Sequence, residues 1–344
     1  MRVLRAVLLV LALLLSLAVP ADASGHLPKW EPTPTGVTAQ FRGLSAVSAR
    51  VAWVSGTKGT VLRTTDGGAS WKSVGPPGAE TLELRDIEAF DADHAVTLSI
   101  GPGTDSRVYR TDDGGAHWRQ TFQNTDAAAF YDCLAFFDPW RGLAMSDPVD
   151  GKFRVQATFD GGRSWRQVPD SGFPPALPGE AGFAASGQCI TTAGPFDAWL
   201  ATGGGATARV LHSGDGGRHW TASDTPLPSS PSAGVFAVAF RSPAQGIAIG
   251  GDYANPTAPG PAVALTQDRG RTWRTPGQYP AGYRSGLAWR GGSVVAVGTG
   301  GSDYSPDGGR HWTSFDTGSF DSVDCAGAAC WASGAQGRVA RLSR

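Results

Sequence analysis

Six times the chain repeats one eight-residue phrase, [Ser/Thr]-x-Asp-x-Gly-x-x-Trp: TTDGGASW (64–71), TDDGGAHW (111–118), TFDGGRSW (158–165), SGDGGRHW (213–220), TQDRGRTW (266–273) and SPDGGRHW (305–312). Its aspartates are Asp66, Asp113, Asp160, Asp215, Asp268 and Asp307, and successive copies lie 39 to 55 residues apart. A period of this size marks a supersecondary unit that buries its apolar face only by stacking on its neighbours.

Each phrase follows a short β-rich run, such as RVYRT (107–111) or RVLHS (209–213), and leads into another, such as HWRQTF (117–122). It therefore reads as a hairpin turn. Glycine at the fifth position accepts positive φ, and the carboxylate accepts hydrogen bonds from turn N–H groups. The tryptophans, Trp71, Trp118, Trp165, Trp220, Trp273 and Trp312, cover the hairpins with apolar surface. Six acidic side chains are thereby assigned to architecture and removed from the candidates for chemistry.

Two further strands recur between phrases, as in LRDIEAF (84–90) with HAVTLSI (94–100), or VFAVAF (235–240) with QGIAIGG (245–251). Four strands per unit make the blade of a β-propeller. After the last phrase, FDSVD (320–324), CWASG (330–334) and GRVARL (337–342) supply three strands and no phrase. At the other end PKWEPTP (28–34) carries Trp30 where a phrase tryptophan would stand. The N-terminal strand is expected to complete the last blade, giving an all-β, seven-bladed ring with no open edge; six and eight are the alternative counts. The blades fall at about 41–75, 84–123, 130–169, 183–223, 235–276, 284–315 and 319–342 plus 28–36, in a single domain over 24–344. With 48 glycines, 24 prolines and 12 tryptophans, composition agrees with many turns around an aromatic-rich core.

Residues 1–23 read as a secretory signal: Arg2 and Arg5, an uncharged apolar run over 6–19, then Ala21-Asp22-Ala23 as a small-x-small cleavage site. An exported, secreted or periplasmic monomer with no stable membrane span after cleavage is expected. A formal net charge of −1 with scattered Lys and Arg gives no argument for nucleic acid. Export also suits the four cysteines. Cys325 and Cys330 flank a short bend, which favours a local bridge. Cys133 and Cys189 lie in first strands of adjacent blades, either bridged or as free thiols, and three pairings remain open.

In such a ring the starts of the inner strands and the loops between second and third strands share the face opposite the phrase. Candidate ligand-binding residues there are Arg85, Asp86, Tyr131, Asp132, Tyr283, Arg284 and Asp321 from strand starts. Asp147, Asp150, Lys152, Asp252, Tyr253 and Asp303 are added from loops. Tyr and Arg at a channel mouth suit a protein segment or a carbohydrate. Catalytic residues are not assigned. Glutamate is scarce, no cysteine–histidine grouping has zinc spacing, and no dinucleotide fingerprint stands in a strand–helix context, so no metal and no cofactor is expected.

The phrase resembles the Asp-box of sialidases and related BNR-repeat proteins, and the mature chain resembles the WD40/YVTN/BNR-like superfamily. It is similar to the family of the photosystem II stability and assembly factor, whose members are seven-bladed binding and assembly chaperones. Non-photosynthetic bacteria have exported relatives, some bearing the label oxidoreductase, which no cofactor motif here supports. The sialidase likeness implies an arginine cluster, an acid/base aspartate and a tyrosine activated by glutamate. Arg85 and Arg284 match part of the cluster, and Tyr131, Tyr253 or Tyr283 the tyrosine. No arginine motif stands at the first blade and no glutamate is placed to activate a tyrosine. The resemblance thus implies a binding propeller first, and a sialidase-like glycoside hydrolase using axial aspartates second.

Overall fold

The computed structural model describes residues 27–343; the signal segment 1–23 lies outside the described residues. Seven antiparallel sheets form the ring. Their inner strands are Phe41–Ala46, Glu83–Ala89, Tyr131–Phe136, Ile190–Ala193, Ala233–Phe240, Gly286–Arg290 and Ser322–Ala326. Each packs against the next and the seventh against the first. Closure comes from Trp30–Pro32, which pairs antiparallel with Val339–Leu342 in the register Trp30 to Leu342 and Pro32 to Ala340. Proline sits on this outermost strand, where a missing donor costs no ladder bond.

The phrase turn works through its first residue as much as through its aspartate. In the first copy the Thr64 hydroxyl donates to Asp66 Oδ1 (2.8 Å) and accepts from the Gly68 N–H (2.9 Å). Asp66 then accepts from Ser70 N–H (3.0 Å) and the Ser70 hydroxyl (2.6 Å). Gly68 has φ +85 and its counterparts at 115, 162, 217, 270 and 309 are alike. This left-handed backbone is what the fifth-position glycine permits.

The tryptophan reaches further than its own hairpin. Trp118 Nε1 donates to Val74 O on the preceding blade (2.6 Å), and Trp165 Nε1 to the Thr121 hydroxyl (3.3 Å). Trp30 does the same for the phrase-less last blade, donating to the Ser302 hydroxyl of the sixth (2.9 Å) beside Phe315 and Phe320. Trp220 and Trp312 instead bond within their own turns, to Gly217 O and Gly309 O.

Three local departures from the repeat shape the molecule. Blade five has three strands, and an isolated bridge of Leu265 with Arg274 replaces the fourth. Pro276, just beyond, has no N–H with which to extend it. In blade three the segment SDPVDGKF, read as a loop, is a long hairpin of Gly142–Val149 and Lys152–Thr158. Asp150 (φ +54) and Gly151 (φ +74) form its two-residue turn, the left-handed pair that suits Asp-Gly. The cysteines form two bridges, Cys325–Cys330 across facing residues of one hairpin and Cys133–Cys189 between blades three and four.

Candidate functional site

Four inner strands carry a β-bulge near their first residues, and the bulge leaves one residue of each unpaired. The register shifts fall between Phe41 and Gly43, Leu84 and Asp86, Tyr131 and Cys133, and Val235 and Ala237. The skipped residues are Arg42, Arg85, Asp132 and Phe236. A bulge re-aims a side chain out of the pleat's alternation. Arg42, Arg85 and Phe236 all line one cavity at the mouth of the channel.

The floor of that cavity is a segment that crosses the channel. Blade four's inner strand begins only at Ile190, and residues 183–189 before it hydrogen-bond to four other blades. Arg85 Nη1 donates to Ala184 O (3.0 Å), and the Ser186 hydroxyl donates to Ser285 O (2.7 Å). Gln188 Nε2 donates to Leu287 O and Val323 O (3.0 Å each), and its Oε1 accepts from Leu287 N–H (3.0 Å). Val238 N–H donates to Gln188 O (3.2 Å), and the Ser322 hydroxyl reaches both Arg42 O and Ser186 O. Gly187 has φ +71, and a Cβ there would fall 2.4 Å from Asp86 Oδ1. Only glycine passes so close to a carboxylate held by Ile87 N–H (2.8 Å) and Leu134 N–H (2.6 Å). The Cys133–Cys189 bridge ties down the end of this plug.

Above the plug lies an open cavity of about 350 Å³. Phe183 stacks on Phe236 (4.1 Å between centroids), Tyr283 meets Phe236 edge-on (4.8 Å), and Tyr253, 52% exposed, stands over both phenylalanines. The opposite wall is cationic. Arg85 is gripped by Glu83 Oε2 through Nε (2.8 Å) and Nη2 (2.6 Å). Arg42 has an enclosed Nε with no hydrogen-bond partner among the described residues, and burial with the neighbouring Arg85 charge lowers its pKa. Asp321 accepts from Gln40 Nε2 (3.2 Å), and burial raises its pKa. Burial likewise raises the Tyr283 phenol. A guanidinium pair beside an aromatic wall can hold a carboxylate attached to an apolar group.

Below the plug a second cavity of about 290 Å³ opens toward the phrase face, with Asp86, Glu88, Gln188 and Asp324 in its lining. Burial, then repulsion from Asp324, pushes Glu88 up to about 8. Asp324 is raised by burial even though Ala46 N–H (2.7 Å) and Cys325 N–H (2.8 Å) donate to it.

Of the sequence candidates, Arg85, Tyr253, Tyr283 and Asp321 meet in the upper cavity, while Asp86 lies beneath the plug. Asp132 and Asp147 form an enclosed carboxyl pair under Gly182, whose N–H donates to Asp147 Oδ1 (2.8 Å). Burial and the facing Asp147 charge raise Asp132 well above its ordinary value, and burial raises Asp147 to about 6. Arg284 and Asp303 are a fully buried ion pair (Nε to Oδ2 2.6 Å), which locks Tyr283's backbone through Arg284 Nη1 to Tyr283 O (2.7 Å). Tyr131 packs edge-on against Phe122 and accepts from Gln156 Nε2 (2.8 Å). Asp252 caps its own loop at Ala254 N–H (2.9 Å), Lys152 Nζ donates to Phe173 O (2.5 Å), and Asp150 is exposed at the hairpin tip.

Arg42, Phe183 and Phe236 were not among those candidates. Arg42 had a signal: FRG at 41–43 and LRD at 84–86 put an arginine at the same place in adjacent inner strands. Phe183 had none, because nothing local announces that its segment leaves the blade.

Among the described residues no cluster of three or more His, Cys, Asp or Glu is placed to hold a metal ion, and no helix is long and apolar enough to cross a membrane. The sequence matches no protein-family model and no curated protein. Among solved structures the chain is similar to YCF48 bound to a D1 peptide, with TM-score 0.64 and 16% identity over 95% of this chain and 100% of that one. It is also similar to YCF48 from Cyanidioschyzon merolae (0.63, 16%, 91% and 98%). A GH74 enzyme of Niastella koreensis matches at 0.61 and 13%, over 90% of this chain and 53% of that one. At such identities the likeness is one of architecture.

Proposed function

We propose that this propeller is an exported binding module, without chemistry of its own, that takes a protein segment into the plugged mouth of its ring. The observation that carries the reading is the pairing of Arg42 and Arg85 with the Phe183, Phe236, Tyr253 and Tyr283 wall in one open cavity. A channel closed by a plug offers a bounded pocket, which suits the end of a peptide. The cationic wall would take a terminal carboxylate and the aromatic wall the side chain beside it. The architectural likeness to a propeller solved with a peptide supports this choice of ligand class. The N-terminal apolar run and the two disulfides support export.

A glycoside hydrolase using axial aspartates is the second reading, favoured by the Asp132–Asp147 carboxyl pair with its raised pKa values. Against it, Asp132 is 2% exposed and covered by Gly182.

Calorimetric titration with short peptides ending in phenylalanine tests the two readings. A free C-terminus should bind and a C-terminal amide should bind at least about tenfold more weakly. Arg42→Ala should reproduce that loss. Equal binding of acid and amide, or of wild type and Arg42→Ala, overturns the assignment of this cavity. Turnover of aryl glycosides that Asp147→Asn abolishes would establish the hydrolase instead.

A further inference from the structure

The phrase face carries a feature that the repeat does not require. Among the described residues five large hydrophobic side chains are exposed, and three of them, Trp140 (62%), Phe159 (61%) and Phe196 (51%), belong to the junction of blades three and four. Phe159 occupies the variable second position of its phrase, where the other copies have Thr65, Asp112, Gly214, Gln267 and Pro306. Trp140 is held against that same turn, since Gly161 N–H donates to Trp140 O (2.8 Å). Phe159 and Phe196 flank a small cleft of about 50 Å³, floored by Leu143 and Ala157.

The rim of the cleft is cationic. The Arg141 guanidinium lies over Phe137 (5.7 Å) and Phe196 (5.3 Å) and is paired with Asp138 (2.8 Å), which makes it a rigid edge. Arg218 also lines the cleft, is exposed, and has no side-chain hydrogen bond or ion pair among the described residues. The carboxylate nearest in sequence, Asp215, is consumed by its turn, accepting from Arg218 N–H (3.0 Å), His219 N–H (3.0 Å) and the His219 ring (2.6 Å). Clustered exposed aromatics mark an interaction site, and an unneutralised arginine beside them sets the sign of the partner. At about 50 Å³ the cleft accommodates the branched end of one aliphatic side chain and is too small for a sugar ring. Its walls also offer few groups able to bond sugar hydroxyls.

We infer that the junction of blades three and four on the phrase face is a second docking surface. It receives an acidic protein segment that inserts one aliphatic side chain between Phe159 and Phe196 and places a carboxylate on Arg218. The surface lies on the opposite side of the ring from the plugged mouth, so the propeller would bridge two partners, one on each face.

The test is titration of the whole mature protein with the blocked peptide acetyl-Glu-Asp-Leu-Glu-Asp-amide, followed by calorimetry and by the amide shifts of Gly161 and Gly216. Blocking both ends removes the free carboxylate that the other face is proposed to read. Binding should shift both amides, weaken with added salt, and fall at least about tenfold in Phe159→Thr and in Arg218→Glu. Phe159→Thr places there the residue that blade one has at Thr65, so both variants should keep the wild-type melting temperature. Arg42→Ala should leave this titration unchanged. The inference is overturned by an unmoved titration in both variants, by equal binding of the lysine-for-acid peptide, or by absence of shifts with wild type. It is also overturned if Phe159→Thr abolishes a concentration-dependent dimer or the binding of a neutral cello-oligosaccharide, since a second copy or a glycan would then be the occupant.

Discussion

The carboxyl groups on the two sides of this ring behave in opposite ways. On the phrase face Asp66, Asp113, Asp160, Asp215, Asp268 and Asp307 all have lowered pKa values. Asp66, through the Ser70 hydroxyl and N–H, and Asp113, through the His117 N–H and ring, stand at about 2. Along the channel Asp86, Glu88, Asp132, Asp147, Asp321 and Asp324 are all raised, burial being the largest cause for each. The phrase carboxylates are served by donors within four residues, so each turn is self-sufficient. Channel carboxyls are surrounded by other blades, so their cost is set by the closed ring.

Breaking the closure should therefore have the largest effect. Deletion of residues 24–36 removes the Trp30–Pro32 strand and leaves Val339–Leu342 as an open edge. Thermal unfolding followed by circular dichroism should lose its cooperativity, or the protein should aggregate; a truncated protein that melts like the full one would show that the ring does not depend on this strand.

A single turn should matter less. Asp160 accepts from Ser164 N–H (2.9 Å), the Ser164 hydroxyl (2.6 Å) and the Thr158 hydroxyl (2.9 Å). Asp160→Ala should cost about 1–3 kcal/mol in denaturant unfolding. By contrast Asp150→Asn, at an exposed hairpin tip, should stay within about 0.5 kcal/mol. Equal effects of the two would remove the distinction between turn carboxylates and loop carboxylates.

The smallest expected effect is on the pH profile. Carboxylates lowered in the fold contribute stability that is present above their unfolded values and is lost as pH falls toward about 2. Carboxyls raised in the fold oppose this: stability declines as pH climbs from their unfolded range toward about 6 for Asp147 and about 8 for Glu88. The melting temperature should peak at mildly acidic pH and decline toward pH 8. Glu88→Gln should flatten the upper part of that decline. A wild-type melting temperature that rises steadily from pH 5 to 8 would contradict the burial of these groups.

The repeat made most of the ring legible. Phrase, strand pair and interval are local, and a period-two apolar pattern between glycine-rich turns has few other ways to be buried. The strand PKWEPTP was legible because Trp30 repeats the chemistry of the phrase tryptophans. The site was legible only in part. Counting strands put Arg85, Tyr253, Tyr283 and Asp321 on the face opposite the phrase, and they share a cavity. Counting strands equally nominated Arg284, Asp303 and Tyr131, which the fold turns inward, because alternation says which residues leave the pleat's plane and not where bulges interrupt it.

What the chain alone determined is the blade, the closure of the ring and the face on which the phrases lie, since these follow from contacts between residues close in sequence or repeated at a regular interval. What only the tertiary structure decided is the mouth. Four bulges turn Arg42, Arg85, Asp132 and Phe236 out of register. Residues 183–189 leave their own blade to bond across the axis, with Ser186 and Gln188 reaching partners 99 and 135 residues away. Side chains on seven separate strands converge on one axis only when the ring is closed, and no local pattern encodes which of them will then find a partner and which will be left facing the open cavity.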